Sequence, residues 1–186
     1  MIRLSLLTIV TAALLSACST EGYQPYATRG LNTGQTENYD EFTLKRTACY
    51  GFCPVYEVRV DERDVLVFKG EQFVKEDQGT VSKRLPEGSF KKLVEIARAH
   101  DFSSYDAAYP NADGSNCPQR ATDMPSVIVS YDAKKLSHSV SLYQGCMGFD
   151  GRERLDEMIL EIDAVLDLDD FIGPREAFYG AEEKSQ

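Results

Sequence analysis

From Phe42 onward the chain alternates. Phe42 and Leu44 stand against Thr43 and Lys45 in FTLKRTA, and Tyr56, Val58 and Val60 against Glu57, Arg59 and Asp61 in PVYEVRVD. A period of two puts one set on each side of the backbone, so both segments read as half-buried β-strands. DERD follows as a turn, DVLVFKG as a third strand and GTVSKRL as a fourth. At Glu87 the period changes. Phe90, Leu93, Val94 and Ala97 stand at i, i+3, i+4 and i+7 and line one side of a helix ending near His100. A loop with YPNADGSNCP comes next, then PSVIVSYD and KLSHSVSLY as a two-stranded hairpin. In the last segment Leu155, Met158, Ile159, Ile162, Val165 and Leu166 repeat at helical spacing, with Asp150 and Glu153 as an acidic variant of the capping box.

The order is β-β-β(-β)-α-β-β-α. Every strand-to-strand link is too short for a parallel crossover. An α+β fold is expected, with an antiparallel sheet and both helices packed on one face. The pattern spans residues 39–168 as a single domain, which suits 186 residues of 42% hydrophobic composition, enough for one ordinary core. Residues 169–186 form an acidic tail, with Phe171, Phe178 and Tyr179 scattered through it. It is expected to be loosely ordered, the alternative being that its aromatics cover an edge of the sheet.

Ahead of the domain stands MIRLSLLTIVTAALLSACST. The apolar stretch from Leu4 to Leu15 is about a dozen residues, short of the roughly 20 that span a bilayer as a helix. Arg3 before it and the small residues Ser16 and Ala17 after it make residues 1–17 a signal peptide. Leu15-Ser16-Ala17-Cys18 looks like the bacterial lipobox, which implies a diacylglycerol thioether on Cys18, cleavage before it and an acylated amine. Several acyl chains would hold the protein on a membrane where one gives only reversible attachment. Ser19 after the cysteine implies, by the same resemblance, an outer-membrane lipoprotein facing the periplasm in a double-membrane host. A Gram-positive host would place it on the outer face of its single membrane. Residues 18–38 are polar, rich in Gly and Thr and without apolar periodicity, which makes them a flexible tether.

Charge narrows the partners. The formal net charge is −10, with acids and bases mixed and no basic stripe, so the electrostatic footprint of phosphate-backbone binding is missing and no nucleic-acid partner is expected. Removal of residues 1–17 takes away one cation and no acid, which leaves −11. Such a body has no electrostatic reason to lie on anionic lipid.

Beyond Cys18 four cysteines remain, Cys49, Cys53, Cys117 and Cys146, and an even number in an exported chain argues for disulfides. Cys49 and Cys53 flank Tyr50, Gly51 and Phe52 between two antiparallel strands, whose opposed Cα atoms lie about 4.5 to 5.5 Å apart, within disulfide reach. Cys117 precedes the second hairpin and Cys146 follows it, so both belong at its open end. A redox-active Cys49/Cys53 pair is the sharper alternative, but such pairs usually have two intervening residues and a helix N-terminus. A four-cysteine zinc site is disfavoured, because only one pair is closely spaced.

RTACYGFCPVYEVRV resembles the hallmark of an uncharacterised bacterial domain-of-unknown-function family, numbered 6438: Cys-aromatic-Gly-x-Cys-Pro-x-Tyr followed by a strand, turn, strand and helix. The match falls on Cys49, Tyr50, Gly51, Cys53, Pro54 and Tyr56. Gly70, Gly79, Phe90 and Leu93 fit its looser continuation, and Thr122, Asp123 and Pro125 its Thr-Asp-x-Pro strand entry. The resemblance runs from about Phe42 to Leu166 and implies the domain without implying an activity. Cys117 and Cys146 lie outside the common pattern, in keeping with their pairing with each other. Within the motif Gly51 is free to take a positive φ and Pro54 to open a strand where its missing N–H is harmless. Tyr50, Gly51 and Phe52 are also a candidate contact knuckle.

Catalysis finds little support. His100 falls at a helix C-terminus, and His138 alternates with Leu136, Val140 and Leu142 on a core-facing side. No Gly-x-Ser-x-Gly elbow, His-Glu-x-x-His helix or phosphate-cradling loop is present in the sequence. Asn111 to Asn116 resembles part of a calcium loop, but Tyr109 would hold the first ligand position, so a plain turn is expected. No cofactor or metal is expected. The expectation is a lipid-anchored, disulfide-stabilised binding or structural module whose partner is an envelope protein or ligand. Its rivals are a thiol-disulfide oxidoreductase using Cys49 and Cys53, and an acidic inhibitor of a basic hydrolase.

Overall fold

A computed structural model describes residues 40–75, 79–133 and 136–173. The segments expected to be the signal peptide and the tether, with Cys18, and residues 174–186 lie outside the described residues. The first half forms β1 (Glu41–Arg46), β2 (Val55–Asp61), β3 (Val65–Gln72), β4 (Thr80–Arg84) and helix α1 (Ser89–Ala99). Then come β5 (Ala108–Tyr109), β6 (Gln119–Arg120), β7 (Ser126–Ala133), β8 (Leu136–Tyr143), β9 (Cys146–Met147), α2 (Arg152–Leu166) and a short helix α3 (Asp169–Ile172).

Seven strands make one sheet in the order β4-β3-β2-β1-β7-β8-β5, and β6 pairs with β9 in a separate two-stranded sheet. The α+β fold is as the sequence pattern indicates: a mostly antiparallel sheet with helices packed on it. One pairing departs from expectation, since β5 lies parallel to β8 at Ala108↔Ser141 and Tyr109↔Leu142. The loop after α1 is long enough to return to the sheet edge beside β8, a route that counting strand-to-strand links does not consider.

β1 is central because it pairs with β2 on one side and with β7 on the other. Its alternation decides what each face does. Phe42 and Leu44 are buried, and Arg46, on the same side, forms an ion pair with Asp163 of α2. Leu93, Ile96 and Ala97 of α1 and Leu155, Met158, Ile159, Ile162 and Leu166 of α2 complete the same core. The opposite side of the sheet carries charged pairs such as Lys45–Glu57 and Arg59–Glu57.

Both helix starts differ from what local sequence offers. Gly88 precedes α1 in a left-handed conformation, φ 85°, and provides no side-chain cap. Asp64, from the turn between β2 and β3, accepts from the amides of Gly88 (2.8 Å) and Phe90 (2.7 Å) instead. Those first-turn amides have no partner within the helix, and a carboxylate facing them also suits the dipole. The capping box expected from Asp150 and Glu153 does not form. Gly151 precedes α2 at φ 83° without a side-chain cap, and its carbonyl accepts from the Tyr105 hydroxyl at 3.1 Å. The last described segment continues past 168: Phe171 of α3 stacks on Phe68 of β3 with ring centroids 5.1 Å apart.

Tyr56 reports on this core. Its ring is 2% exposed and its hydroxyl accepts from Arg46 Nε at 2.9 Å. Burial pushes its pKa up to about 12, against a smaller opposing pull from Arg46. A raised tyrosine pKa contributes stability that is fully present below the unfolded value near 10 and is lost as pH rises through about 12. Unfolding followed by circular dichroism between those values should show a loss of ~2–3 kcal/mol that Tyr56→Phe largely removes. An unchanged alkaline slope in the variant would refute the assignment.

The candidate site at the stapled end of the sheet

β1 ends at Arg46, and the chain turns through residues 47–54 before β2. Cys49 and Cys53 are disulfide-bonded with Cα atoms 5.7 Å apart. Gly51 has φ 137° with open space where a Cβ would stand, so backbone conformation alone favours glycine there. Tyr50 is 89% exposed, whereas Phe52 is half-buried with its ring edge-on to Phe73 at 5.2 Å. Of the three knuckle residues, Tyr50 is the one displayed to solvent with its side chain.

This loop does not stand alone. The Tyr50 amide donates to the Asp123 carbonyl at 3.1 Å, the Thr47 amide to Ser126 O at 3.0 Å, and the Ser126 amide to Thr47 Oγ1 at 2.8 Å. The two stretches that carry the resemblance, around Cys49 and around Asp123, are therefore neighbours although more than 70 residues separate them. Tyr143 of β8 locks the second stretch: its hydroxyl donates to Ala121 O at 2.9 Å and accepts from the Met124 amide at 3.2 Å.

Cys117 and Cys146 are disulfide-bonded with Cα atoms 5.4 Å apart, at the open end of the β7–β8 hairpin as expected. Beside them Gln119↔Met147 and Arg120↔Cys146 form the small second sheet, and Arg152 of α2 donates to the Cys146 carbonyl. Gly145 is the tightest point. A Cβ there would come 2.3 Å from Ala121 O and 2.6 Å from Tyr143 Cε1. Because the first contact is backbone, Gly145→Ala should cost ~1–3 kcal/mol and lower the urea midpoint followed by circular dichroism; an unchanged midpoint would show that the close approach is dispensable.

Tyr50, Met124 and Met147 are thereby gathered at one end of the sheet. They are three of the four large hydrophobic side chains exposed among the described residues, the other being Leu160 on α2. Charge is depleted at the same place. In segments 47–54, 117–125 and 143–149 the only charged residues are Arg120 and Asp123, in a chain with 27% charged residues. The sequence reading reached Tyr50 through the cysteine spacing but had no signal for Met124 or Met147, since a lone methionine reads equally well as core.

The remaining candidates are placed as follows. His100 closes α1, is 9% exposed and has its Nε2 3.1 Å from Glu161 Oε1. His138 lies half-buried on β8 with its ring edge-on to Phe102 at 5.0 Å, and its buried Nε2 has no hydrogen-bond partner among the described residues. Neither histidine meets the stapled end through a described contact. Asn111 to Asn116 is knitted by its own bonds, the Ser115 amide donating to Asp113 Oδ1 and the Asn111 amide to Asn116 Oδ1. Among the described residues no group of three or more His, Cys, Asp or Glu is placed to hold a metal ion, and no helix is long and apolar enough to cross a membrane.

The family model described as Domain of unknown function (DUF6438) matches residues 40–166. A search of curated proteins returned no match.

Proposed function

We propose, for a chain that belongs to the DUF6438 family, a cell-envelope lipoprotein anchored through lipid on Cys18, whose domain binds a partner through the stapled end of its sheet. The observation that carries this reading is the gathering of exposed Tyr50, Met124 and Met147 on loops held by two disulfides and nearly free of charge. Aromatic residues and methionine are enriched at the cores of protein interfaces, and charged residues other than Arg are depleted there. Rigid loops also lose little conformational freedom on binding.

Compartment chemistry agrees. Two disulfides suit an oxidising environment such as the periplasm or cell surface. Within the domain, the Cys49–Cys53 loop leaves β1 beyond Arg46, at the opposite end of that strand from Glu41. A strand of this length separates the two by about 20 Å. In a double-membrane host the anchor would be in the outer membrane, with the domain in the periplasm. The tyrosine at the tip acts as an anchor, and the methionines supply adaptable apolar contact.

Two measurements test this reading. Non-reducing peptide mass spectrometry of protein extracted from membranes, with thiols alkylated at lysis, should find acylated Cys18 and both cysteine pairs fully oxidised. An unmodified Cys18 removes the anchor, and a mixed redox population at Cys49 and Cys53 would replace a structural staple with thiol-disulfide chemistry. A photo-crosslinking residue at position 50 in cells should form a discrete adduct that the same residue at position 160 does not. Identical patterns at both positions would remove the binding surface.

A further inference from the structure

A different surface carries a second inference. β4 is an edge of the seven-stranded sheet, paired only with β3. The register shows which backbone groups that pairing uses. The Gly70 amide donates to Gly79 O and the Leu85 amide to Asp64 O, so residues 79, 81, 83 and 85 direct their amides and carbonyls to β3. Thr80, Ser82 and Arg84 direct theirs outward, all three are exposed, and no described residue pairs with those groups.

The side chains define what fits. β4 has two charged residues, Lys83 and Arg84, both positive in a chain of net charge −10. Neither forms an ion pair with a described carboxylate; Lys83 reaches the Asp167 carbonyl and the Phe171 ring, and Arg84 the Arg63 carbonyl. Adjacent strand positions face opposite sides of a sheet, so Lys83 and Arg84 offer one cation to each side of whatever lies beside them. A second copy paired β4 to β4 would bring four cations onto two adjacent strands with no acid between them, which disfavours self-association.

We propose that β4 receives an extended acidic peptide segment, which adds as an eighth strand and sets two consecutive acidic residues against Lys83 and Arg84. The main-chain bonds at Thr80, Ser82 and Arg84 supply affinity regardless of sequence, and the two cations supply the preference, which is the division of labour in strand addition. The surface is separate from the stapled end, and neither reading depends on the other.

The test uses the full chain and a short blocked, fluorescent peptide of Val and Thr with Glu-Asp at its centre, followed by anisotropy. Binding should weaken with added salt, and a peptide with Lys-Lys at its centre should bind roughly tenfold more weakly, as expected for two reversed cross-strand charge pairs. Ser82→Pro removes an outward amide that β3 does not use, so it should abolish binding, whereas Ser82→Ala should not. Should Ser82→Pro fail to fold, the double variant K83E/R84E gives the same decision by reversing the preference to the Lys-Lys peptide. Absence of binding by the Glu-Asp peptide, equal binding of both peptides, or full binding by a folded Ser82→Pro overturns the proposal.

Discussion

Replacing Cys117 and Cys146 together by serine should cost about 3.6 kcal/mol of stability, while the same change at Cys49 and Cys53 should cost about 2 kcal/mol. The difference is one of chain entropy, because the first bridge spans a sequence separation of 29 and the second a separation of 4. A long loop left open in the unfolded chain has more freedom to lose on folding. Local structure points the same way. The second sheet has two residue pairs, Gln119↔Met147 and Arg120↔Cys146, too few to hold the open end of the β7–β8 hairpin alone. Urea unfolding followed by circular dichroism suits a chain that lacks tryptophan. A smaller loss for the long bridge than for the short one would show that the Tyr143 and Arg152 contacts already hold that end.

Phe68→Ala should be more damaging still, at ~3–5 kcal/mol. Phe68 is fully buried, with the Tyr56 ring 5.3 Å away on one centroid-to-centroid contact and Phe171 5.1 Å away on another. Truncation removes the central ring of three, and the helices above and the strands beside it are too tightly tied to collapse into the space. The companion measurement is a cycle with Phe171→Ala. Coupling of ~0.5–1.5 kcal/mol between the two changes is expected for stacked rings. Additive losses would mean that the Phe68 and Phe171 rings are not coupled, and a Phe171→Ala loss near zero would mean that α3 contributes nothing to the core.

Much of the fold was legible because it is periodic. Alternation at Phe42–Leu44 and Tyr56–Val60 exists to bury one face of a strand, and spacing at Leu155–Leu166 to bury one stripe of a helix, so each pattern is readable without knowing what covers it. The cysteine pairing was legible for a related reason: once the hairpins are drawn, their ends have few neighbours. The helix caps were not. Asp64 and Gly88 are 24 residues apart, and the rule that looks for a cap immediately before a helix chose Asp150 for α2, where the chain instead enters through Gly151. The parallel pairing of β5 was hidden because two residues are too short to show a period.

The candidate site divides along the same line. Tyr50 was visible as the residue between two cysteines; Met124 and Met147 were not, since nothing local tells an exposed methionine from a buried one. The sequence alone determined the longer strand and helix segments, the anchor expectation at Cys18, the two disulfide partnerships and the family resemblance, all of which rest on patterns within a few residues or on counting. The tertiary structure alone decided that β1 sits in the middle, that the Cys49 loop meets the Asp123 loop, and that β4 is left at an edge with its cations facing no described carboxylate. Those outcomes depend on which distant segments come to share a boundary, and that is settled by the packing of one common core.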